Sequence, residues 1–181
     1  MRAVRCFIAV AVPKDIKTRV TELQERLKEL PMSCKLMEEE NMHVTLSFLG
    51  EVDDAAVEKI KENMDAVCKN FSKIEARICG LKIIPSESYI RVIALDVFDE
   101  AGRLKQLSGE IKKNVGGDVK PPHLTLCRVR DVKDRSEVLS KLEVWKTFDA
   151  GSFAISEIIL MKSELSREGP TYEVIHTSKL G

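Results

Sequence analysis

The chain repeats two of its segments in the same order, and this duplication limits the folds open to it more than any other feature. Residues 8–12, Ile-Ala-Val-Ala-Val, resemble residues 93–97, Ile-Ala-Leu-Asp-Val. Residues 43–52 likewise resemble residues 123–132, so that both pairs lie about 80 to 85 positions apart. A repeat this long indicates two fused lobes rather than a stacked array of short units.

Hydrophobic spacing predicts the same order of elements in each half. Helices are expected where apolar residues recur every three or four positions, at 16–30, 57–67, 101–115 and 134–142, with Asp53-Asp54 capping the second. Strands are expected in the runs rich in Val and Ile, at 6–12, 43–52, 74–84, 90–97, from 123 onward, 153–162 and 172–176. Pro85-Ser86 and Gly116-Gly117 read as loops.

This order of elements predicts an α+β fold in one bilobal domain over residues 1–181. We expect two pseudo-twofold-related lobes, each with an antiparallel or mixed sheet and outer helices. The active-site cleft would lie between the two sheets.

Charge, hydropathy and cysteine content exclude several classes of protein. The 29 Lys and Arg balance the 29 Asp and Glu, so no global positive field is present to hold a long nucleic acid, and any such contact must be local. No apolar run is long enough to span a bilayer, so no membrane partner is expected. Five cysteines are an odd number without the close pairs of a zinc ribbon, which predicts reduced thiols and a cytoplasmic location.

Two of the three histidines, His43 and His123, are each followed by Thr at the second position and Leu at the third. Because side chains alternate along a strand, His43 and Thr45 share one face, as do His123 and Thr125. Facing each other across a cleft, two imidazoles can accept and donate protons near neutral pH, and two hydroxyls can donate to phosphate oxygens. This set favours displacement at phosphorus.

A single His-x-Thr-Leu sequence is more often structural than catalytic, but two copies at a duplicated position favour catalysis. A purely structural repeat would retain apolar residues rather than two titratable groups. A metal site built from His43, His123 and Cys127, the last expected on the same face as His123, is disfavoured because no fourth ligand stands at a suitable spacing. His176 lacks the threonine and reads as an ordinary strand residue.

These motifs resemble those of the two-histidine (2H) phosphoesterases, and within them the RNA 2',3'-cyclic phosphodiesterases that are also called 2'-5' RNA ligases. The resemblance covers the whole chain. It rests on Phe7-Ile-Ala-Val, Glu40-Asn-Met-His43-Val-Thr-Leu-Ser-Phe-Leu-Gly-Glu-Val52, Gly80, Arg91-Val-Ile-Ala-Leu, Pro122-His123-Leu-Thr-Leu-Cys-Arg128 and Gly169-Pro-Thr-Tyr172.

The resemblance implies opening of a 2',3'-cyclic phosphate to a 2'-phosphate without a metal or another cofactor. His123 would activate water, His43 would protonate the departing 3' oxygen, and Thr45 and Thr125 would hold the phosphate oxygens. Run backwards, the reaction would join the cyclic end to a 5'-hydroxyl without ATP. The expected partner is an RNA that ends in a cyclic phosphate, with tRNA fragments among the candidates, and the protein is expected to act as a monomer.

Phe48 and Arg128 stand five residues after the two histidines and resemble family positions that enclose the terminal base. Strict alternation would place both side chains on the face opposite the histidines, so this role requires a bulge or a strand end. Two other functions remain open at this point. One is an RNA-end-binding module without turnover, and the other is a 2H enzyme for a different cyclic or 2'-5'-linked nucleotide.

Overall fold

The computed structural model describes residues 3–167 and 169–181, and within these ranges the four predicted helices and most of the predicted strands are present in the expected order. The helices are α1 Lys14–Leu27, α2 Asp54–Cys68, α3 Arg103–Asn114 and α4 Arg135–Glu143. The strands are β1 Ala3–Ala11, β2 Met32–Leu36, β3 His43–Asp53, β4 Ile74–Ser86, β5 Tyr89–Phe98, β6 His123–Val132, β7 Asp149–Ile155, β8 Glu157–Ser166 and β9 Gly169–Lys179.

The strands form two sheets. The first sheet has the order β3-β1-β8-β9 and the second has the order β2-β6-β5-β4-β7. Neighbouring strands in both sheets are antiparallel. The predicted α+β fold with two pseudo-symmetric sheet lobes is therefore confirmed, and of the two arrangements left open the antiparallel one is found.

The two halves of the sequence exchange strands between the sheets. Read outward from the histidine strands, β3-β1-β8-β9 corresponds to β6-β5-β4-β7. β4 comes from the first half of the chain but pairs with β5 and β7, whereas β8 from the second half pairs with β1. Each sheet is therefore built from both sequence repeats.

Two predicted boundaries are wrong. The strand expected at 153–162 is two strands, β7 and β8, which separate at the exposed Ser156 and enter different sheets. No Gly or Pro marks the crossover in this apolar run, so the sequence does not indicate that the chain changes sheets here. Pro85-Ser86, expected as a loop, closes β4 opposite Ile90 and Tyr89, at a register shift where a proline is tolerated. The short strand β2 was not predicted.

The helices begin and pack as their sequences predict. The Asp53 carboxylate accepts a hydrogen bond from the Ala55 N–H at 3.2 Å and caps α2, as expected. α1 buries Ile16, Val20 and Leu27 in a continuous core that also includes the face of each sheet opposite its histidine. Each fully buried Leu or Ile in such a core contributes about 1.5–3 kcal/mol relative to an exposed side chain. No helix in the described ranges combines the length and apolarity needed to cross a membrane.

Candidate active site

A β-bulge in β3 determines which side chains share a face with His43. Thr45 is paired with Ala9 and Ser47 with Ile8, so that Leu46 is left as an extra residue between them. Leu46 and Ser47 are both fully buried, whereas the next residue, Phe48, is 48% exposed. The extra residue reverses the alternation, and Phe48 lies on the same face as His43 and Thr45.

β6 contains the same irregularity at the equivalent position. Thr125 is paired with Ala94 and Cys127 with Ile93, which leaves Leu126 as the extra residue. Leu126 and Cys127 are buried and Arg128 is exposed. Arg128 therefore shares a face with His123 and Thr125, as the base-binding role requires. The expectation that Cys127 lies on that face is wrong, because the bulge directs its thiol into the core.

His43 lies in an aromatic enclosure on the first sheet. Its ring stacks on Phe7 with the centroids 4.8 Å apart, and Tyr172 of β9 meets it edge-on at 5.3 Å. Burial lowers the pKa of His43 to about 4, an effect that a backbone hydrogen bond to the Asn41 carbonyl opposes and the nearby charge of Lys17 reinforces. His43 is therefore neutral at pH 7 in the free protein.

His123 has a matching backbone partner in a more open setting. Its Nδ1 lies 3.0 Å from the carbonyl oxygen of Pro121. Each histidine is thus bonded to the carbonyl two residues before it, Asn41 or Pro121. A proton held on Nδ1 by such a bond leaves Nε2 as the nitrogen that faces a ligand.

Each threonine stands opposite an alanine on the neighbouring strand. Thr45 is paired with Ala9 and Thr125 with Ala94, and both alanines are fully buried. Because alanine has only a methyl side chain, space remains beside each threonine hydroxyl. The duplicated motif therefore includes a small residue on the adjacent strand as well as the His-x-Thr pair.

The two sheet faces that carry the histidines approach each other across a groove. Contacts between the two sheets mark the limits of this groove. At one side, the loop before β6 pairs with β3 through two backbone hydrogen bonds between Phe48 and Asp118, of 2.8 and 3.0 Å. Across the groove, Arg128 acts electrostatically on Tyr172. Burial raises the pKa of the Tyr172 hydroxyl, and the positive charge of Arg128 lowers it in part. Lys35 Nζ also lies near Gly169, because a Cβ at that glycine would be 3.3 Å from it. β3 and β6 themselves lie in contact.

The structure adds residues to the site that the sequence patterns did not assign. Phe7 and Tyr172 enclose His43, and Lys35 extends the positive charge beside Arg128, its register partner. Phe7 and Tyr172 belong to the segments that carry the family resemblance, which was the available signal. Lys35 lies on the unpredicted strand β2 and gave none.

The third histidine has a structural place, as predicted. His176 Nε2 lies 2.9 Å from Asp65 Oδ1, which also accepts a 2.6 Å hydrogen bond from Ser178 Oγ. These contacts tie β9 to α2. Among the residues that the structure describes, no group of three His, Cys, Asp or Glu side chains is placed to hold a metal ion, and all five cysteines are free.

Comparisons with known proteins identify relatives of this chain. A family model described as LigT like phosphoesterase matches residues 10–94. An RNA 2',3'-cyclic phosphodiesterase of Methanocaldococcus jannaschii is 35% identical, over 94% of this chain and 98% of the relative.

Solved structures show the same fold. A Thermus thermophilus protein matches with a TM-score of 0.82 and 22% identity over 97% of both chains. Escherichia coli LigT in its apo form matches with a TM-score of 0.78 and 20% identity over 99% of both chains. With the duplicated strand geometry and a relative of this identity over almost its whole length, the chain belongs to the LigT-like family of 2H phosphoesterases.

Proposed function

We propose that this protein hydrolyses the 2',3'-cyclic phosphate at RNA ends to a 2'-phosphate by two-histidine acid–base catalysis. The observation that carries the proposal is the pair of equivalent bulges in β3 and β6. Each places a histidine, a threonine and a further side chain suited to a base on one face of its sheet. The curated name of the Methanocaldococcus relative supports the choice of substrate.

The reaction needs a base, an acid and donors to the phosphate. One histidine removes a proton from water as the water oxygen attacks phosphorus. The other donates a proton to the 3' oxygen as its bond to phosphorus breaks, which leaves a 2'-phosphate and a free 3'-hydroxyl. The Thr45 and Thr125 hydroxyls donate hydrogen bonds to the non-bridging oxygens, where negative charge accumulates.

Because its pKa is low, His43 must change its protonation state if it is to take the role that the family resemblance implies. Those roles make His43 the acid, yet burial keeps it neutral in the free protein at pH 7. A negatively charged phosphate beside the ring favours the imidazolium form. His43 therefore gains its proton when substrate enters, and His123 acts as the base.

Phe48 and Arg128 are assigned to the terminal base. The Phe48 ring lies 6.3 Å from that of Phe7 and is exposed to the groove, and Arg128 lies on the facing sheet. A base between them would stack on the aromatic ring and under the guanidinium group.

The remaining parts of the proposal concern the setting of the reaction. Residues 1–181 act as one bilobal domain and as a monomer, on RNA fragments such as those of tRNA, in the cytoplasm. The five free cysteines support a reducing compartment. A 5'-hydroxyl that replaced the water molecule would reverse the cleavage and form a 2'-5' linkage without ATP.

Hydrolysis of a nucleoside 2',3'-cyclic phosphate by EDTA-treated protein tests the proposal, with the product assigned by phosphorus NMR. We expect the 2'-monophosphate, and we expect His43→Ala and His123→Ala each to lower kcat/KM at least roughly a hundredfold. His176→Gln is the matched control, because that histidine lies on the outer side of the first sheet against α2 and should leave kcat/KM unchanged. Full activity in either alanine variant would refute the mechanism. Turnover confined to other cyclic or 2'-5'-linked nucleotides would refute the substrate.

A further inference from the structure

Basic side chains continue beyond the histidine along the groove face of the second sheet. Arg128 and Arg130 are exposed and alternate with the buried Val129, so both point into the groove. Lys35 is the register partner of Arg128 on β2 and shares its face. Asp131 lies close to these side chains, but the cationic groups outnumber it. This part of the sheet is therefore positively charged, although the whole chain has no net charge.

A further bulge brings β5 into this row. Ile84 is paired with Val92 and Pro85 with Ile90, so Arg91 is the extra residue. Ile90 is buried in the core, which directs its exposed neighbours Tyr89 and Arg91 to the opposite face. Val92 is the partner of Arg128 on β6. Tyr89 therefore lies on the groove face, about 10 Å along β5 from the Arg128 position.

Tyr89 and Arg91 already form a stacked pair. The Arg91 guanidinium lies 5.4 Å from the centroid of the Tyr89 ring, and Tyr89 is 59% exposed. Arg135 Nη1 donates a 2.8 Å hydrogen bond to the Ser88 carbonyl and holds the adjacent turn. The result is a flat aromatic surface with a positive charge above it, which is how proteins bind unpaired bases and their phosphates.

We propose that Tyr89 and Arg91, with Arg130 and Lys35, bind the single-stranded RNA on the 5' side of the cyclic phosphate, with the next base stacked on Tyr89. The proposal rests on the proposed function. A 2',3'-cyclic phosphate ends the chain at its 3' side, so any further nucleotides must leave the site in the 5' direction. The row that starts at Arg128 supplies charge complementary to their phosphates and is continuous with the base-binding position.

Two substrates with the same reacting end separate this binding from the chemistry. One is a nucleoside 2',3'-cyclic phosphate, and the other is a short unstructured oligoribonucleotide that ends in the same nucleotide. We expect Tyr89→Ala to lower kcat/KM for the oligonucleotide about tenfold and to leave that for the mononucleotide unchanged. Arg91→Ala should also reduce the slope of log kcat/KM against log salt by roughly 0.7, for the oligonucleotide alone.

Two matched controls are available outside the groove. Phe98→Ala removes an exposed aromatic ring at the other end of β5, and Arg26→Ala removes an exposed guanidinium on α1. Neither should change the ratio of the two kcat/KM values. Equal kcat/KM for both substrates in the wild-type protein, or equal loss on both substrates in Tyr89→Ala, would overturn the proposal.

Failure of the proposed function would look different, because the wild-type protein would then hydrolyse neither substrate. In that case, anisotropy of a fluorescent oligoribonucleotide decides the binding proposal directly. Weaker binding by Tyr89→Ala than by Phe98→Ala would support it, and equal binding would overturn it.

Discussion

At the scale of the residue, His43 has the surroundings that most constrain the chemistry. In the free protein its pKa is about 4, because Phe7 and Tyr172 exclude water from the ring. A bound phosphate supplies the negative charge that stabilises the imidazolium. We expect NMR titration of the ring protons to give a pKa of about 4 without ligand, and a value raised towards the ordinary 6.5 with saturating 2'-monophosphate.

The same titration contains its own control. His176 is bonded to Asp65 on the outer side of the first sheet, so binding of the nucleotide should leave its ring-proton resonances unmoved. If the pKa of His43 remained about 4 in the complex, the roles would be reversed, and His43 would be the base and His123 the acid.

Gly117 is the residue through which the loop before β6 fits against β3. Its φ is +93°, and a Cβ at this position would lie 2.3 Å from Ser47 Oγ and 2.8 Å from the Phe48 carbonyl oxygen. We expect Gly117→Ala to lower the free energy of unfolding by about 1–3 kcal/mol, measured with urea, and to reduce kcat/KM by displacing Phe48.

Gly116 provides the comparison for that substitution. Its φ is also positive, at +102°, but a Cβ there would meet nothing within 4 Å. Gly116→Ala therefore carries the backbone strain without the collision, and it should cost less stability and leave kcat/KM closer to wild type. Equal effects of the two substitutions would show that the close packing against Ser47 contributes nothing.

At the scale of the element, the bulged strands place the site. Leu46 and Leu126 are the extra residues, and each is fully buried. Truncation leaves a cavity where the bulge is anchored, so we expect Leu46→Ala and Leu126→Ala each to destabilise the fold by about 2–5 kcal/mol in urea unfolding. Leu165→Ala, at a side chain that is 70% exposed, should change stability by less than about 0.5 kcal/mol. An equally small effect at Leu46 would contradict this account.

The bulges are also the features of the site that could not be predicted from the sequence. Apolar periodicity located the helices, and alternation correctly placed each Thr beside its His. Alternation alone placed Phe48 and Arg128 on the wrong face and Cys127 on the groove face. Leu46 and Leu126 are ordinary strand residues, and whether a strand takes in one extra residue depends on pairing with a neighbour far away in the chain. The catalytic roles of these residues remain predictions.

At the scale of the whole molecule, strand exchange leads us to expect that the two sheets unfold as one cooperative unit. Trp145 follows α4, in a turn bonded to β4 of the second sheet through Phe148 and Gly80, whereas His43 lies on the first sheet. Between pH 6.5 and about 4 the unfolded chain binds a proton at His43 that the folded protein does not. Stability should therefore fall as pH falls through this window.

Urea unfolding followed by Trp145 fluorescence at several pH values measures that effect. We expect the midpoint to decrease from pH 7 to pH 5, and to decrease less in His43→Gln, which lacks the titrating group. Far-UV circular dichroism should give the same midpoints. If the pH dependence of the fluorescence midpoint were the same in His43→Gln as in the wild type, the two sheets would unfold separately.

The strand exchange has a mechanical consequence for the groove. Neither sheet belongs to one continuous stretch of chain, since β4 and β8 each cross to the opposite side. A jaw-like opening would therefore have to strain several chain crossings between the sheets at once, rather than bend a single linker. The spacing of the two imidazoles is thus set as the chain folds, and we expect any ligand that enters the groove to meet a gap of fixed width.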